Sequence, residues 1–500
     1  MDNLVTTLEQ RATDRGWLGN VAYVVGDDRL SYADVYEGAK AAADFLHAAE
    51  VGQGDRVLLA LPDGFDQVRV LLGVLRVGAV AVPVNPMLPV EELRGMLDRT
   101  DAAAVVCGTA LATTFAGAHL LAPDVIPRMA DGPAAAPATV ADGDPAYALF
   151  TSGTTGEPKL CFHTHADGLV YDEAFGRPVL GIGPGDVTLS VSKMSFAYGF
   201  GNSLLYPLLN GATAVLIPGQ PKTETVFAAI ERHGVQVLYA VPSFYGRLLA
   251  HPSAELLRKV GKAVCAGEVL PRPIEEAMAA LDGPVLLNGI GSTEVGQTFA
   301  SNAVGALRPG TVGKALPPYE VRVVDESGVD VATGTEGTLL VRGPSVVTGC
   351  AAAGERQPPR PGAWHPTGDA ATLDGDGFLR IAGRTDDLEI VAGVNVHPAE
   401  IEELFVTQPA VTDAAVCATP DSDGVTRLVA YLVLADDSAD DGQLPARLVA
   451  RLRGKLAPHK IPRTVVIVPE LPRTYTGKLR RSALRAAAAT HQSTGAWEVR

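Results

Sequence analysis

Two glycines, four hydroxyls and one lysine fall within the run Thr151-Ser152-Gly153-Thr154-Thr155-Gly156-Glu157-Pro158-Lys159. Glycines let backbone N–H groups approach oxygens closely, hydroxyls add donors and a lysine supplies a point charge, a combination suited to a polyphosphate. The run is not a Walker A loop, because Gly153 and Gly156 lie three apart and Pro158 precedes the lysine. Taken alone it also reads as an ordinary turn. Further along, Gly289-Ile290-Gly291-Ser292-Thr293-Glu294 offers a hard carboxylate for Mg2+ beside hydroxyls for phosphate, or else a Ser/Thr/Glu helix start. Asp369, in Thr367-Gly368-Asp369, has oxygens that could hold both hydroxyls of a ribose; in isolation it is a turn aspartate. Arg384, in Gly383-Arg384-Thr385-Asp386-Asp387, could pair with a phosphate or reach that ribose, and otherwise stands as a solvated arginine. Lys478 ends Pro472-Arg473-Thr474-Tyr475-Thr476-Gly477-Lys478 and opens a basic run to Arg485, which without context reads as a solvated helix start.

These groups need a frame. Between residues 56 and 107, apolar runs alternate with helical periodicity: Arg56–Leu61, Asp66–Val77, Ala79–Val84, Val90–Arg99 and Ala102–Cys107. That βαβαβ pattern predicts a parallel sheet covered by helices. The rhythm returns at Val187–Val191, Thr213–Ile217, Thr223–Glu231 and Gln236–Ala240, so doubly wound α/β architecture is expected through much of the first 300 residues. After residue 310 short strand-and-turn units follow, Glu320–Val324, Thr338–Arg342 and Phe378–Ile381, predicting hairpins or a small barrel-like subdomain. Gly349 to Gly362 reads as a surface loop. From Asp386 come a helix at Ala399–Phe405, strands at Asp413–Cys417 and Leu428–Leu434, a helix at Pro445–Leu456, a strand at Thr464–Val468 and a final basic helix. The expected division is a large domain over 1–385 and a smaller α+β domain over 386–500.

The 500 residues carry 41 Lys plus Arg against 57 Asp plus Glu, a net charge of −16, with 47% hydrophobic and 20% charged residues. That balance argues against disorder and against binding nucleic acid by net charge. The first residues have neither a basic nor an apolar leader region, and the apolar stretch from Val68 to Met87 is broken by Arg69, Arg76 and Pro83. A cytoplasmic protein with no membrane span is expected. Cys107, Cys161, Cys265, Cys350 and Cys417 include no close pair, predicting reduced thiols rather than a disulfide framework or zinc site. His163 and His165 flank Thr164, but two histidines without a third ligand are assigned no metal.

The phosphate-loop candidate and the four later runs, in this order, resemble the motifs of the adenylate-forming superfamily of acyl-CoA synthetases, carrier-protein adenylation domains and luciferases. The resemblance implies two half-reactions using ATP, Mg2+ and coenzyme A: a carboxylate forms an acyl-adenylate, and a thiol then takes the acyl group. It implies that Thr151, Ser152, Gly153, Thr154, Thr155, Gly156 and Lys159 hold phosphates, together with Asn288, Gly289 and Ile290 in nucleotide binding. It further implies that Thr293 touches the α-phosphate, Glu294 binds Mg2+, and Asp369 and Arg384 hold the ribose. Lys478 is expected to bridge the acyl carboxylate and the α-phosphate during adenylation. Asp386 matches the hinge of a mobile C-terminal lid domain, and Gly393, in Val391-Ala392-Gly393-Val394-Asn395-Val396, matches the loop that faces the site in the thioester-forming state.

Ser192-Lys193-Met194-Ser195-Phe196-Ala197-Tyr198-Gly199-Phe200-Gly201-Asn202, with Ala240–Tyr245 and Ala266-Gly267-Glu268, is similar to benzoate-CoA ligases rather than long-chain acyl-CoA synthetases. By that likeness Phe196 is an aromatic gate, and Ala197, Tyr198, Gly267, Ile290 and Gly291 line a flat apolar slot suited to a ring. None of these positions is charged, so a ring with a second full charge is disfavoured. Gln297 stands where many benzoate ligases carry histidine; as donor and acceptor at once it could meet a hydroxyl or amino substituent. Two other departures are Glu389-Ile390, where many relatives have a lysine near Ile390, and Leu160, in place of a glycine. The expected protein is an AMP-forming aryl acid:CoA ligase. Alternatives are a stand-alone adenylating enzyme loading a carrier-protein phosphopantetheine thiol, a silent acyl-adenylate or nucleotide sensor, and, at the substrate level, a medium-chain or branched aliphatic acid. A homodimer is the family-level expectation.

Overall fold

The computed structural model describes residues 2–126, 135–151, 159–347, 362–391, 394–420, 426–435, 443–473, 479–491 and 497–498. Two large sheets and three smaller ones carry the chain. In the six-stranded sheet the order is Leu120–Leu121, Ala104–Cys107, Arg56–Ala60, Val80–Pro83, Pro145–Thr151 and Lys159–Thr164, and all neighbours but the last pair are parallel. The nine-stranded sheet has a parallel centre, Val285–Gly291, Lys262–Cys265, Val237–Ala240, Val187–Ser190, Thr213–Val215 and Val21–Val25. Antiparallel strands finish both of its edges.

Each parallel strand is nearly all apolar because both of its faces are covered. Val57 and Leu59 face a core shared with Tyr239, Val264 and Leu287 of the other sheet, whereas Leu58 and Ala60 face a separate core under the helix Val90–Thr100. Leu238 and Ala240 likewise turn to a third core with the helices Thr223–His233 and Pro242–Ala250. The helices Leu4–Asp14, Tyr32–Ala48 and Phe65–Arg76 contribute to the shared core between the two sheets. The result is a helix–sheet–helix–sheet–helix stack. The predicted βαβαβ segment is reproduced within a few residues at each boundary.

The strand-and-turn region forms a four-stranded antiparallel meander, Glu320–Val324, Gly337–Arg342, His365–Leu373 and Leu379–Arg384. Beyond it, the helix Pro398–Val406 and the strands Val411–Pro420, Thr426–Leu434, Thr464–Ile467 and Trp497–Glu498 build a smaller α+β unit. Its helix at Leu444–Ala450 is shorter than predicted. Residues 451–456 leave the helix as turns, and Gly454 takes a left-handed φ of 84°. Gly349–Gly362 lies outside the described residues but for Gly362.

Cys107, Cys265 and Cys417 are free and buried, as expected. Cys161 is disulfide-bonded, which corrects the expectation of reduced thiols throughout. The cysteines are far apart in sequence, and folding supplies the proximity that spacing does not reveal. Among the described residues no helix is long and apolar enough to cross a membrane. The Val68–Met87 stretch divides between a helix and the strand Val80–Pro83.

Candidate active site

The phosphate-loop candidate joins two antiparallel neighbours whose last register pair is Thr151 with Lys159. Thr151 is buried and Lys159 exposed. Ser152, Gly153, Thr154, Thr155 and Gly156 lie outside the described residues, as do Lys478 and Gly393. Leu160, the departure after the lysine, packs into the core under the helix Val90–Thr100.

The turn Ser292–Gln297 follows the strand Val285–Gly291 and leads into the antiparallel strand Thr298–Ser301. It is pinned from several sides. Ser292 accepts from Val295 N through its Oγ (3.2 Å) and from Gly296 N through its carbonyl (2.9 Å). Glu294 O accepts from Val347 N at 2.8 Å, and Val295 O from Ser345 Oγ at 2.8 Å. Thr293 O accepts from His163 Nε2 at 2.8 Å, a contact between the two large sheets. The Glu294 carboxylate makes no hydrogen bond or ion pair among the described residues, and His365 lies within its field. Burial pushes the His365 pKa down, and the Glu294 charge partly opposes that. A half-exposed hard carboxylate with uncommitted oxygens fits Mg2+, which takes one or two protein carboxylates plus phosphate oxygens. No group of three or more His, Cys, Asp or Glu side chains capable of holding a metal occurs among the described residues. His165 Nδ1 accepts from Leu4 N at 3.2 Å.

His365 begins the strand that carries Asp369, and the meander places Asp369 directly opposite Arg384. Arg384 Nη1 donates to Thr367 O at 2.7 Å and lies 3.5 Å from Asp369 Oδ1, while Nη2 is 3.6 Å from Asp386 Oδ2. Gly368 takes a left-handed φ of 76°, which a side chain would strain. Asp386 sits in a short 3-10 turn, Thr385–Asp387, immediately after this strand. Asn288 donates to Thr311 O at 3.1 Å, and its Oδ1 is buried with no partner, as an acceptor awaiting a ligand donor would be.

Phe196 is extended (φ −120°, ψ 148°) and leads into the helix Ala197–Phe200. The Tyr198 hydroxyl donates to Val264 O at 3.0 Å, close in sequence to Gly267, and its ring meets Tyr239 edge-on at 6.3 Å. Ile290 pairs with Ala300, and a Cβ on Gly291 would lie 2.7 Å from Gln297 O. Gln297 is 3% exposed, its amide nitrogen donates to Ala197 O, and its Oε1 accepts from Tyr206 Oη at 3.2 Å. Each polar end makes a bond to the protein, and the one to Ala197 O ties Gln297 to the backbone of the acid slot.

The C-terminal unit reaches this face. Arg473, from the motif that ends in Lys478, lies 3.6 Å from Glu268 Oε1 and donates to Asp413 Oδ2 at 2.6 Å. Glu268 in turn accepts from Ser243 N at 3.0 Å. The departure at Glu389-Ile390 resolves structurally: Glu389 is buried and paired with Arg485 at 2.8 Å, and Ile390 is exposed. Sequence reasoning missed His365 and assigned no role to His163. His365 left no local signal, since the strand's register shifts between Pro366 and Ala370 and Gly368 takes a left-handed φ, so that simple alternation does not run from 365 to 369.

Comparison with known proteins places these features. Residues 8–350 match the AMP-binding enzyme model, and residues 400–478 match the AMP-binding enzyme C-terminal domain. The chain is 38% identical to a p-hydroxybenzoic acid–AMP ligase of Mycobacterium marinum, over 97% of this chain and 69% of that protein. It is 35% identical to a benzoate–CoA ligase of Thauera aromatica, over 87% and 86%. Its fold matches the solved benzoate CoA ligase of Burkholderia xenovorans LB400 with a TM-score of 0.87, at 33% identity, over 97% of this chain and 100% of that one. With a model spanning most of its length and relatives above 30% identity, this chain belongs to the AMP-binding enzyme family.

Proposed function

We propose that the protein activates an aromatic carboxylic acid with ATP and passes the acyl group to the thiol of coenzyme A. In the first half-reaction a carboxylate oxygen attacks the α-phosphorus, the bond from that phosphorus to the bridging oxygen breaks, and pyrophosphate leaves. In the second, the thiol, as thiolate, attacks the acyl carbon and AMP departs with the oxygen that joined it to the acid. The observation that carries the reading is the convergence of the Thr293–Glu294 turn with the strand that carries Lys159 and with the strand that carries Asp369. It is supported by ring-sized apolar positions, Phe196, Ala197, Tyr198, Gly267, Ile290 and Gly291, without a charged side chain among them.

In this reading Thr293 holds the α-phosphate, Lys159 the outer phosphates, and Asp369 with Arg384 the ribose hydroxyls. The spare Asn288 Oδ1 accepts from the adenine amine. Glu294 would hold Mg2+, which when bound offsets the charge gathering on the phosphates. Lys478 stabilises the same charge from the C-terminal side. The chemistry is positioning plus charge stabilisation rather than acid–base catalysis. Residues 386–500 act as a lid that turns about Asp386 between the half-reactions.

A second reading has one specific support. The mycobacterial relatives are named for the acid–AMP product, not for a CoA thioester, so the acceptor could be a carrier-protein phosphopantetheine thiol. AMP release across benzoates, cinnamates and aliphatic acids, each with and without CoA, tests both. CoA-dependent turnover on an aryl acid supports the ligase; pyrophosphate exchange that CoA leaves without AMP release points to a carrier; silence on every acid refutes both.

A further inference from the structure

We infer that His163 is a positioning residue for adenylate formation: its Nε2–H holds the Thr293 carbonyl and thereby fixes the Thr293–Glu294 peptide against the strand that carries Lys159. The inference rests on the proposed function. His163 is fully buried on the strand Lys159–Thr164. Its Nε2 is 2.8 Å from Thr293 O, an atom that only accepts, so Nε2 must carry a proton. On the other side Tyr171 Oη is 3.1 Å from Nδ1, and Tyr147 Oη is 3.2 Å from Tyr171 Oη. Nδ1 either accepts from Tyr171 Oη, which itself accepts from Tyr147, or carries a proton donated to Asp167 Oδ2; in both arrangements Nε2 donates to Thr293 O. Asp167 Oδ2 lies 3.3 Å from Nδ1 and is itself held by Thr164 N at 3.0 Å and, through Oδ1, by Thr164 Oγ1 at 2.8 Å. The ring is clamped between partners on the sheet and the turn, stacked on Tyr147 with centroids 5.2 Å apart. Tyr147 stacks in turn on Phe200 at 4.3 Å, in the helix that carries Ala197 and Tyr198. One imidazole therefore links the strand that carries Lys159 to the Thr293–Glu294 turn and, through Tyr147, to the helix that carries Ala197 and Tyr198.

Loss of the donor leaves the part-buried Thr293 carbonyl without this partner, and the turn shifts to find another. Displacement of a reacting group by about 1 Å is enough to cost about 100-fold in rate. His163→Phe keeps the ring and removes the donor; His163→Gln keeps an amide nitrogen near the Nε2 position; His163→Asn keeps the amide but falls short. The assay is acid-dependent ATP–pyrophosphate exchange, with kcat and KM for the aryl acid and ATP resolved separately. The expected result is a fall in kcat of about 10- to 100-fold for His163→Phe with KM for the acid little changed, and recovery of most of that loss in His163→Gln but not in His163→Asn. If His163→Phe does not fold, the Gln and Asn variants decide alone. Unchanged kcat in His163→Phe, or equal losses in Gln and Asn, overturns the inference. Wild-type silence on every acid would instead overturn the functional reading beneath it.

Discussion

Replacing Gly201 by alanine should impair the acid slot through a residue that never touches the acid. A Cβ at Gly201 would overlap the amide of Gln297. A long side chain normally swings clear at little cost, but this one is 3% exposed and holds two hydrogen bonds, to Ala197 O and from Tyr206 Oη. Swinging out breaks both and strands a carbonyl and a hydroxyl. At about 1–3 kcal/mol for each of the two groups left unsatisfied, the variant with its glutamine displaced loses about 2–6 kcal/mol of support for the Ala197 backbone. Losing even the lower bound in the catalytic complex lowers kcat/KM for the aryl acid by about 30-fold, since 1.4 kcal/mol is tenfold. Gln297→Ala loses the same two bonds without the clash. The double variant should therefore match Gln297→Ala alone, with a coupling of about 2 kcal/mol in a double-mutant cycle. Steady-state kinetics on the four proteins measures it. Additive losses would show that Gly201 and Gln297 act independently and would falsify the account of Gln297 as the support of Ala197.

Three more outcomes are expected. Asp369→Ala should raise KM for ATP by about 10- to 100-fold, the worth of charge-assisted hydrogen bonds, while KM for the acid stays put; a shift in the acid KM alone refutes the ribose role. Lys478→Ala should lose about 100- to 1000-fold in pyrophosphate exchange yet retain thioester formation from supplied acyl-adenylate, and equal loss of both half-reactions sinks the assignment. The third concerns acid stability. Burial lowers the His165 pKa from 6.5 to about 4, with Asp144 and Asp167 partly opposing it. The unfolded chain therefore takes up this proton first. Stability contributed by neutral His165 is intact above pH 6.5 and is lost as pH falls toward 4, a change of about 3 kcal/mol. His165→Asn, which keeps an acceptor for Leu4 N, should flatten denaturation midpoints across that window, and an unaltered pH profile counts against the burial argument.

Residues 56–107 were legible because strands covered on both faces are written as unbroken apolar runs, and the helices between them keep a 3.6-residue stripe. The first 48 residues were not. The strand Asp28–Ser31 is short, polar and half exposed at a sheet edge, and the helix Tyr32–Ala48 is rich in alanine, which marks no face. The π-helical segments Asp172–Leu180 and Gly201–Leu205 have no periodicity that a 3.6 or 2.0 template detects. In the site, Thr293–Glu294, Thr367–Asp369 and Gly383–Asp387 could be read because their chemistry is contiguous in the chain. For Gln297, identity says that it can donate and accept, whereas its neighbours decide to what. The contact of His163 with Thr293 spans 130 positions and leaves no trace in local spacing.

The two large sheets end alike, and that likeness explains where the site lies. In each, the last parallel strand, Pro145–Thr151 or Val285–Gly291, is followed within a few residues by an antiparallel strand, Lys159–Thr164 or Thr298–Ser301. Ligands of open α/β sheets gather at the carboxyl ends of parallel strands, and here both carboxyl ends lead into motif-bearing sequence. An antiparallel return differs from a crossover helix in one respect that matters: it runs straight back beside the turn, so residues at its start can brace it. His163 on one return strand and Gln297 at the start of the other do so, the first gripping the opposite sheet's turn and the second the helix of the acid slot. The six-stranded sheet thus stabilises a loop that is not its own, whereas Gln297 braces a helix that joins two strands of its own sheet. A substitution that loosens either return strand should therefore damage adenylate formation before it damages folding, since the parallel core behind it is untouched.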